Sequence, residues 1–423
     1  MNFSSTSFAP FRERLFRTLW ICAFVSNVGT WMQNVGVSWV AATMSASPLV
    51  ISLIQTASSL PAFVCSYPAG VLSDQTDRRL LLLGLQGFMF VVVSLLAAVT
   101  VMNWLNLQLL LVFTFMVGIG SALTTPVWQA ITPEVVSPGQ LKAAIALNGV
   151  SFNLARAIGP ALGGVLLVAA GIKFVFLFNA ASFLVLMFGI YRWKNNPATA
   201  HPFSFRKNAL EGLRAVRASR PFGHLLIRTV GFTAFVSIIF ALLPRLSKYE
   251  WGQSSGAYTW LWVNLGAGAL VGSYFYGRLA KVFRASQLVF VSCVLLACCM
   301  LALTLTANAH MLDLILFIAG TGWICATSTL NILAQVHSPS AFKGRFLAVN
   351  VTVFQGCLAL SSALWGLLAN FLPVLIVFRI AALAMVAFNA TLLLLPMEEE
   401  ASIPEHAVAC ADALLQYDKG GGG

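Results

Sequence analysis

The sequence is short of charge. Only 9% of its 423 residues are Asp, Glu, Lys or Arg, while 59% are hydrophobic. A water-soluble chain of this size needs far more polar surface, so soluble fold classes are excluded. Acids are the scarcer sign, 13 against 25 lysines and arginines, and there are only five histidines. There is no clustered His/Glu metal site, nucleophile elbow or phosphate-binding loop, which argues against an enzyme and gives no cofactor or metal. The eight cysteines are scattered, Cys22, Cys65, Cys293, Cys298 and Cys299 among them, and their spacing reads as packed thiols. The opening MNFSSTSFAPFRERLFRTLW has no small-residue cleavage site after a short apolar core, so it does not read as a signal peptide.

What the chain has instead is repeated apolar runs. A spanning helix needs about 20 largely apolar residues, and twelve such spans can be read. They cover about residues 17–43, 49–72, 80–102, 106–128, 142–169, 171–192, 222–243, 255–277, 285–307, 311–333, 344–370 and 372–396. The fold class expected is an all-α membrane protein with two pseudo-symmetric six-helix bundles. Residues 1–192 form the first bundle, 193–221 a linker with an amphipathic helix from Phe205 to Arg220, 222–396 the second bundle, and 397–423 a tail.

The formal charge of +12 is unevenly placed. Arg12, Arg14, Arg17, Arg78, Arg79, Lys142, the arginines of the linker, Arg278, Lys281, Arg284, Lys343 and Arg345 fall on one side. Lys173, Arg245 and Lys248 fall on the other. This is a positive-inside pattern: it puts both termini in the cytoplasm and makes the anionic leaflet, not nucleic acid, the partner of the basic surface. The halves also echo each other at an offset near 202, pairing Gly70 with Gly272, Asn148 with Asn350, Asn153 with Gln355 and Gly164 with Gly366.

Arg156 stands deep inside the fifth span, about 20 Å along its axis. A charge at that depth faces a cavity or a bundle interior. Asn153 shares its helical face, with Asn148 nearby. Asn27, Trp31 and Asn34 recur at helical spacing on the first span, and Gln55 adds polarity to the second. Asn331, Asn350 and Gln355 are the interior polar candidates of the second half, while Phe232 and Phe235 offer apolar wall. Each amide could equally bond helix to helix. Amides mixed with aromatics suit an amphiphilic solute.

GVLSDQTDRR at 70–79 resembles the loop between helices two and three of the major facilitator superfamily, through Gly70, Leu72, Asp74, Arg78 and Arg79; Gln75 and Asp77 depart from it. GPALGG, Gly159 to Gly164, resembles the helix-five motif of its antiporting exporters. RLFRTLWICAFVSNVGTWMQ and NLARAIGPALGG look like the branch that holds bacterial siderophore exporters, enterobactin exporters among them, and macrolide efflux proteins. The resemblance implies a monomeric secondary exporter of the bacterial inner membrane, driven by proton antiport. It assigns gating to Gly70, Asp74, Arg78, Arg79, Gly159, Pro160, Gly163 and Gly164. Uptake symport, lysolipid transport and a membrane solute receptor are the alternatives. Two departures bear on coupling. Thr114 stands where superfamily antiporters often carry an arginine, and no carboxylate lies deep in a span.

Overall fold

The computed structural model describes residues 8–75, 77–193, 214–339 and 343–393; the side chains of residues 66–75, Lys142, Asn153 and Lys343 lie outside that description. Among the described residues are twelve helices of 18 residues or more. They are α1 Arg14–Met44, α2 Pro48–Gln75, α3 Arg78–Val101, α4 Leu107–Ile131, α5 Leu141–Ala170 and α6 Ile172–Tyr191, then α7 Arg220–Arg245, α8 Ser255–Val282, α9 Ala285–Ala302, α10 Ala309–Val336, α11 Lys343–Phe371 and α12 Val374–Leu393. Most of the expected linker helix lies outside the described residues; of 214–220, residues 214–218 are helical, Ser219 is extended and Arg220 begins α7.

The helix ends follow from local chemistry. Asn106 accepts from the Leu109 amide at 2.9 Å, Asn308 from His310 at 3.0 Å, and Asp77 from Arg79 at 2.9 Å, each capping a helix start. Gly171, at φ 88°, turns the chain between α5 and α6 in a region that side-chain-bearing residues avoid. Ten of the twelve helices are long and apolar enough to cross a membrane. The other two are α1 and α8. Their apolar character is diluted by Asn27, Gln33 and Asn34 in one, and by Asn264 and five glycines in the other.

Within the first half, α1 lies on α5 and α6, α2 on α4, and α3 on α4 and α6. The α1–α6 contact holds a buried polar knot. Asn179 donates to Gln33 Oε1 at 2.7 Å, and Ser182 donates to Asn179 Oδ1 at 3.1 Å. Gly29 leaves room for it, since a Cβ there would stand 2.7 Å from Asn179 Oδ1.

The contacts of α4 reappear in α10. Gly118 lets α4 close on α2 at Ser58 and Pro61, and Gly320 lets α10 close on α8 at Leu265. Gly120 faces Met89 of α3, and Gly322 faces Leu296 of α9. Both pairs stand at the offset read between the halves.

Candidate substrate cavity

Trp31 of α1, Arg156 of α5 and Trp323 of α10 each stand near the middle of their helix. The Arg156 guanidinium carbon is 5.6 Å from the Trp31 ring centroid and 5.0 Å from that of Trp323. Both lie inside the roughly 6 Å range of a cation–π contact. Among the described residues no hydrogen bond or ion pair reaches the guanidinium, and two ring faces stand against it. The local sequence builds this arrangement. Gly159, one turn beyond Arg156, has the Trp31 side chain against it, with Trp31 Cβ 2.5 Å from where its own Cβ would be. Phe152 meets Trp31 edge-on at 6.0 Å. On the far side, Phe232, Phe240 and Phe354 surround Trp323 at ring separations of 5.3, 4.7 and 6.3 Å.

Of the residues read as cavity lining, Trp31 and Arg156 are brought into contact. Phe232 is fully buried behind Trp323, and Phe235 packs on Trp365 and Phe388. Asn27 and Gln355 are half-buried, while Asn34 and Asn331 are exposed. Three amides are engaged elsewhere: Asn148 donates to Thr132 at 3.2 Å, Gln55 to Ser59 at 2.8 Å, and buried Asn350 accepts from Thr229 at 3.4 Å. The side chain of Asn153 lies outside the described residues.

The expected gating residues separate into groups. Arg78 pairs with Glu134 just beyond α4 and donates to the Ala130 carbonyl at 3.4 Å. Arg79 donates to the Ile190 and Tyr191 carbonyls of α6 at 3.3 and 2.6 Å. These two arginines join helix ends within one half. Gly159 and Gly163 pack against Trp31 and Met32 of α1, with Pro160 buried between them. Gly164 faces the other half, at Thr259 of α8. The surroundings of Gly70 and the side chain of Asp74 lie outside the description.

A seam between the halves runs from the middle of the molecule to the end opposite the start of α1. Gly164 on Thr259 and Gly266 on Ala157 close α5 against α8. Gly366 on Ser52, Thr56 donating to the Ala359 carbonyl at 2.9 Å, and Ser47 donating to Asn370 at 3.3 Å close α2 against α11. Trp39 of α1 stacks on Tyr258 of α8 at 5.1 Å. Past the end of α7, Lys248 and Tyr249 donate to the Ala42 carbonyl at 2.9 and 3.1 Å, while Arg245 donates to that of Ala46 at 3.0 Å. These cations meet the negative end of α1, where a helix leaves its last carbonyls unpaired.

No group of three or more metal-ligating side chains occurs among the described residues. The carboxylates described in the helices and their junctions stand near helix ends: Glu13, Asp77 and Glu134 at one end of the molecule, Glu250 and Asp313 at the other.

Residues 5–420 match the family model of transmembrane secretion effectors, within the major facilitator superfamily. The chain belongs to that family. Two relatives of this chain are enterobactin exporters. That of Escherichia coli O1:K1 is 26% identical over 348 residues, covering 80% of this chain and 82% of the relative. That of Citrobacter koseri is 28% identical over 349 residues with the same coverage. In fold, the chain is like a bacterial homologue of the human lysosomal transporter Spinster, crystallised inward-facing and unoccupied, with TM-score 0.68 and 16% identity over 96% of this chain and 98% of that one. The nucleoside transporter NupG gives TM-score 0.69 at 13% identity, over 91% and 100%. The chain is thus a multi-pass inner-membrane protein with the major facilitator fold. It is a secondary transporter working by alternating access.

Proposed function

We propose that this transporter exports a negatively charged amphiphile, such as a siderophore or a hydrophobic drug bearing an anionic group, from the cytoplasm. The observation that carries the reading is Arg156. It is a guanidinium in the middle of a spanning helix, walled by indoles from both halves and without a carboxylate partner among the described residues. A fixed cation with aromatic walls recognises an anion joined to apolar surface, and would reject a cation. The enterobactin exporters named above support an amphiphilic solute; the negative charge rests on Arg156 alone.

In this reading all twelve helices span the bilayer as two six-helix bundles, 1–192 and 222–396. The linker at 193–221, the tail at 397–423 and both termini are cytoplasmic, as the placement of lysines and arginines suggests. A monomer suffices, because both walls of the cavity come from one chain. The sealed end faces outward, so a solute loads from the cytoplasm. Rocking the bundles then exposes Arg156 to the other side. Gly70, Asp74, Arg78, Arg79 and the helix-five glycines Gly159, Gly163 and Gly164, with Pro160, set the geometry of that rocking. Asn27, Asn34, Gln55, Asn148, Asn153, Phe232, Phe235, Asn331, Asn350 and Gln355 complete the lining or brace it.

Purified protein in vesicles with an imposed pH gradient tests export by proton antiport. An anionic siderophore should move against the direction of proton flow, and Arg156→Gln should stop it. Accumulation in the same direction as protons would replace export with uptake symport. Saturable binding without passage would make the protein a receptor.

A further inference from the structure

We infer that Trp323 is a positioning residue that couples the charge on Arg156 to the arrangement of the two halves; this deepens the transport reading above. An arginine stays protonated at any working pH. In a low-dielectric interior that charge must be compensated, or it raises the energy of the arrangement that holds it. Here two indole faces provide the compensation, and they come from different halves.

The two contacts are unequal in one respect. Trp31 is on α1, packed on α5 at Gly159, so it travels with Arg156. Trp323 is on α10, which Gly320 and Gly322 fasten to α8 and α9, and its ring is fixed among Phe232, Phe240 and Phe354. It belongs to the other half and cannot follow. Among the described residues the buried Trp323 N–H has no hydrogen-bond partner; what the indole presents to Arg156 is its face. Separating the halves at the sealed end therefore removes one of the two faces from the charge. An interaction present in one arrangement and lost in the other biases the equilibrium between them. Trp323 stabilises the arrangement sealed at the Ala42 end.

The test reads conformation without substrate, so it stands apart from whether export is the activity. In a cysteine-reduced background, Ala42→Cys is the reporter, since Ala42 is fully buried in the sealed seam. Fluorinated tryptophans installed at position 323 keep the indole shape while draining its π face. The labelling rate from the Ala42 side should rise stepwise with fluorine number, to about tenfold. With Arg156→Lys the series should persist, because the charge remains. With Arg156→Gln it should be flat. A flat series with Arg156 present, or an equal rise with Arg156→Gln, would overturn the inference. Vesicle transport by the unmodified protein, measured in parallel, decides the export reading independently of these slopes.

Discussion

Gly164 of α5 and Thr259 of α8 approach so closely that a Cβ added to the glycine would overlap the threonine side chain. The contact lies in the seam between the halves, beyond Arg156 toward the sealed end. Gly164→Ala should therefore disfavour the sealed arrangement by roughly 1–3 kcal/mol, the usual cost of overpacking. Transport should fall about tenfold or more while insertion is kept, and labelling of seam cysteines from the sealed side should rise. Thr259→Gly in the same chain should restore both. Loss of transport that Thr259→Gly leaves untouched would place the effect outside the seam.

The cations at the end of α7 and just past it give a graded version of the same experiment. Lys248 holds a carbonyl in the last turn of α1 and Arg245 one just past it, and such a contact contributes about 0.3–1 kcal/mol. Lys248→Ala and Arg245→Ala should each raise sealed-side labelling two- to fivefold. The double variant should raise it by about the product. Lys248→Arg should behave as wild type. No change in the double variant would show that the Tyr249 hydrogen bond and the Trp39–Tyr258 stack hold the α1 terminus without these cations.

Arg156 should discriminate among solutes. Arg156→Lys keeps the charge but loses the planar donor array, and Arg156→Gln loses the charge. Transport of an anionic substrate should fall in both, further in Gln, by about a hundredfold. A neutral analogue should keep its wild-type rate if Arg156 binds the anion, and should be lost with it if Arg156 serves the gate. Surface expression and thermal stability must accompany these rates. Unchanged transport of every solute by a stable Arg156→Gln variant would remove Arg156 from the mechanism.

The knot between α1 and α6 predicts a stability effect without a transport effect. Asn179→Leu leaves Gln33 Oε1 buried without its donor. The unmet group should cost about 1–3 kcal/mol, seen as a lower unfolding temperature in detergent. The residual folded protein should transport at the wild-type rate per molecule.

Asp74 gives a prediction from the sequence motif. Asp74→Asn should insert normally and alternate slowly, read as cysteine accessibility that no longer responds to substrate. Wild-type rates with unchanged accessibility would leave the loop as a topological marker only.

Hydropathy carried much of the fold because a spanning helix must satisfy its backbone internally and present apolar side chains to lipid. That rule reaches α1 and α8 least, the two helices with the most polar and small residues, yet both lie where the spacing places them. The depth of Arg156 was legible because a charge in an apolar run is conspicuous. Trp323 was not, since one more aromatic in an apolar segment carries no signal until its neighbour is known. Sequence could mark Asn148, Gln55 and Asn350 as polar but not choose between solute and neighbour. Thr132, Ser59 and Thr229 are what they meet. Nor could it tell that Lys248 and Arg245 would reach across to α1, because that pairing joins distant parts of the chain through the carbonyls of Ala42 and Ala46.

The mid-height position of Arg156 also has an electrical consequence. Moving one elementary charge through the whole membrane field involves about 2.3 kcal/mol per 100 mV. A charge midway along its helix that shifts sideways as the halves part hardly changes depth. Arg156 can thus lose and regain a ring face in every cycle while doing almost no work against the membrane potential. Any voltage dependence of turnover then reports the charge of the cargo and of the coupling ion, and current recordings on vesicles become a direct count of what moves.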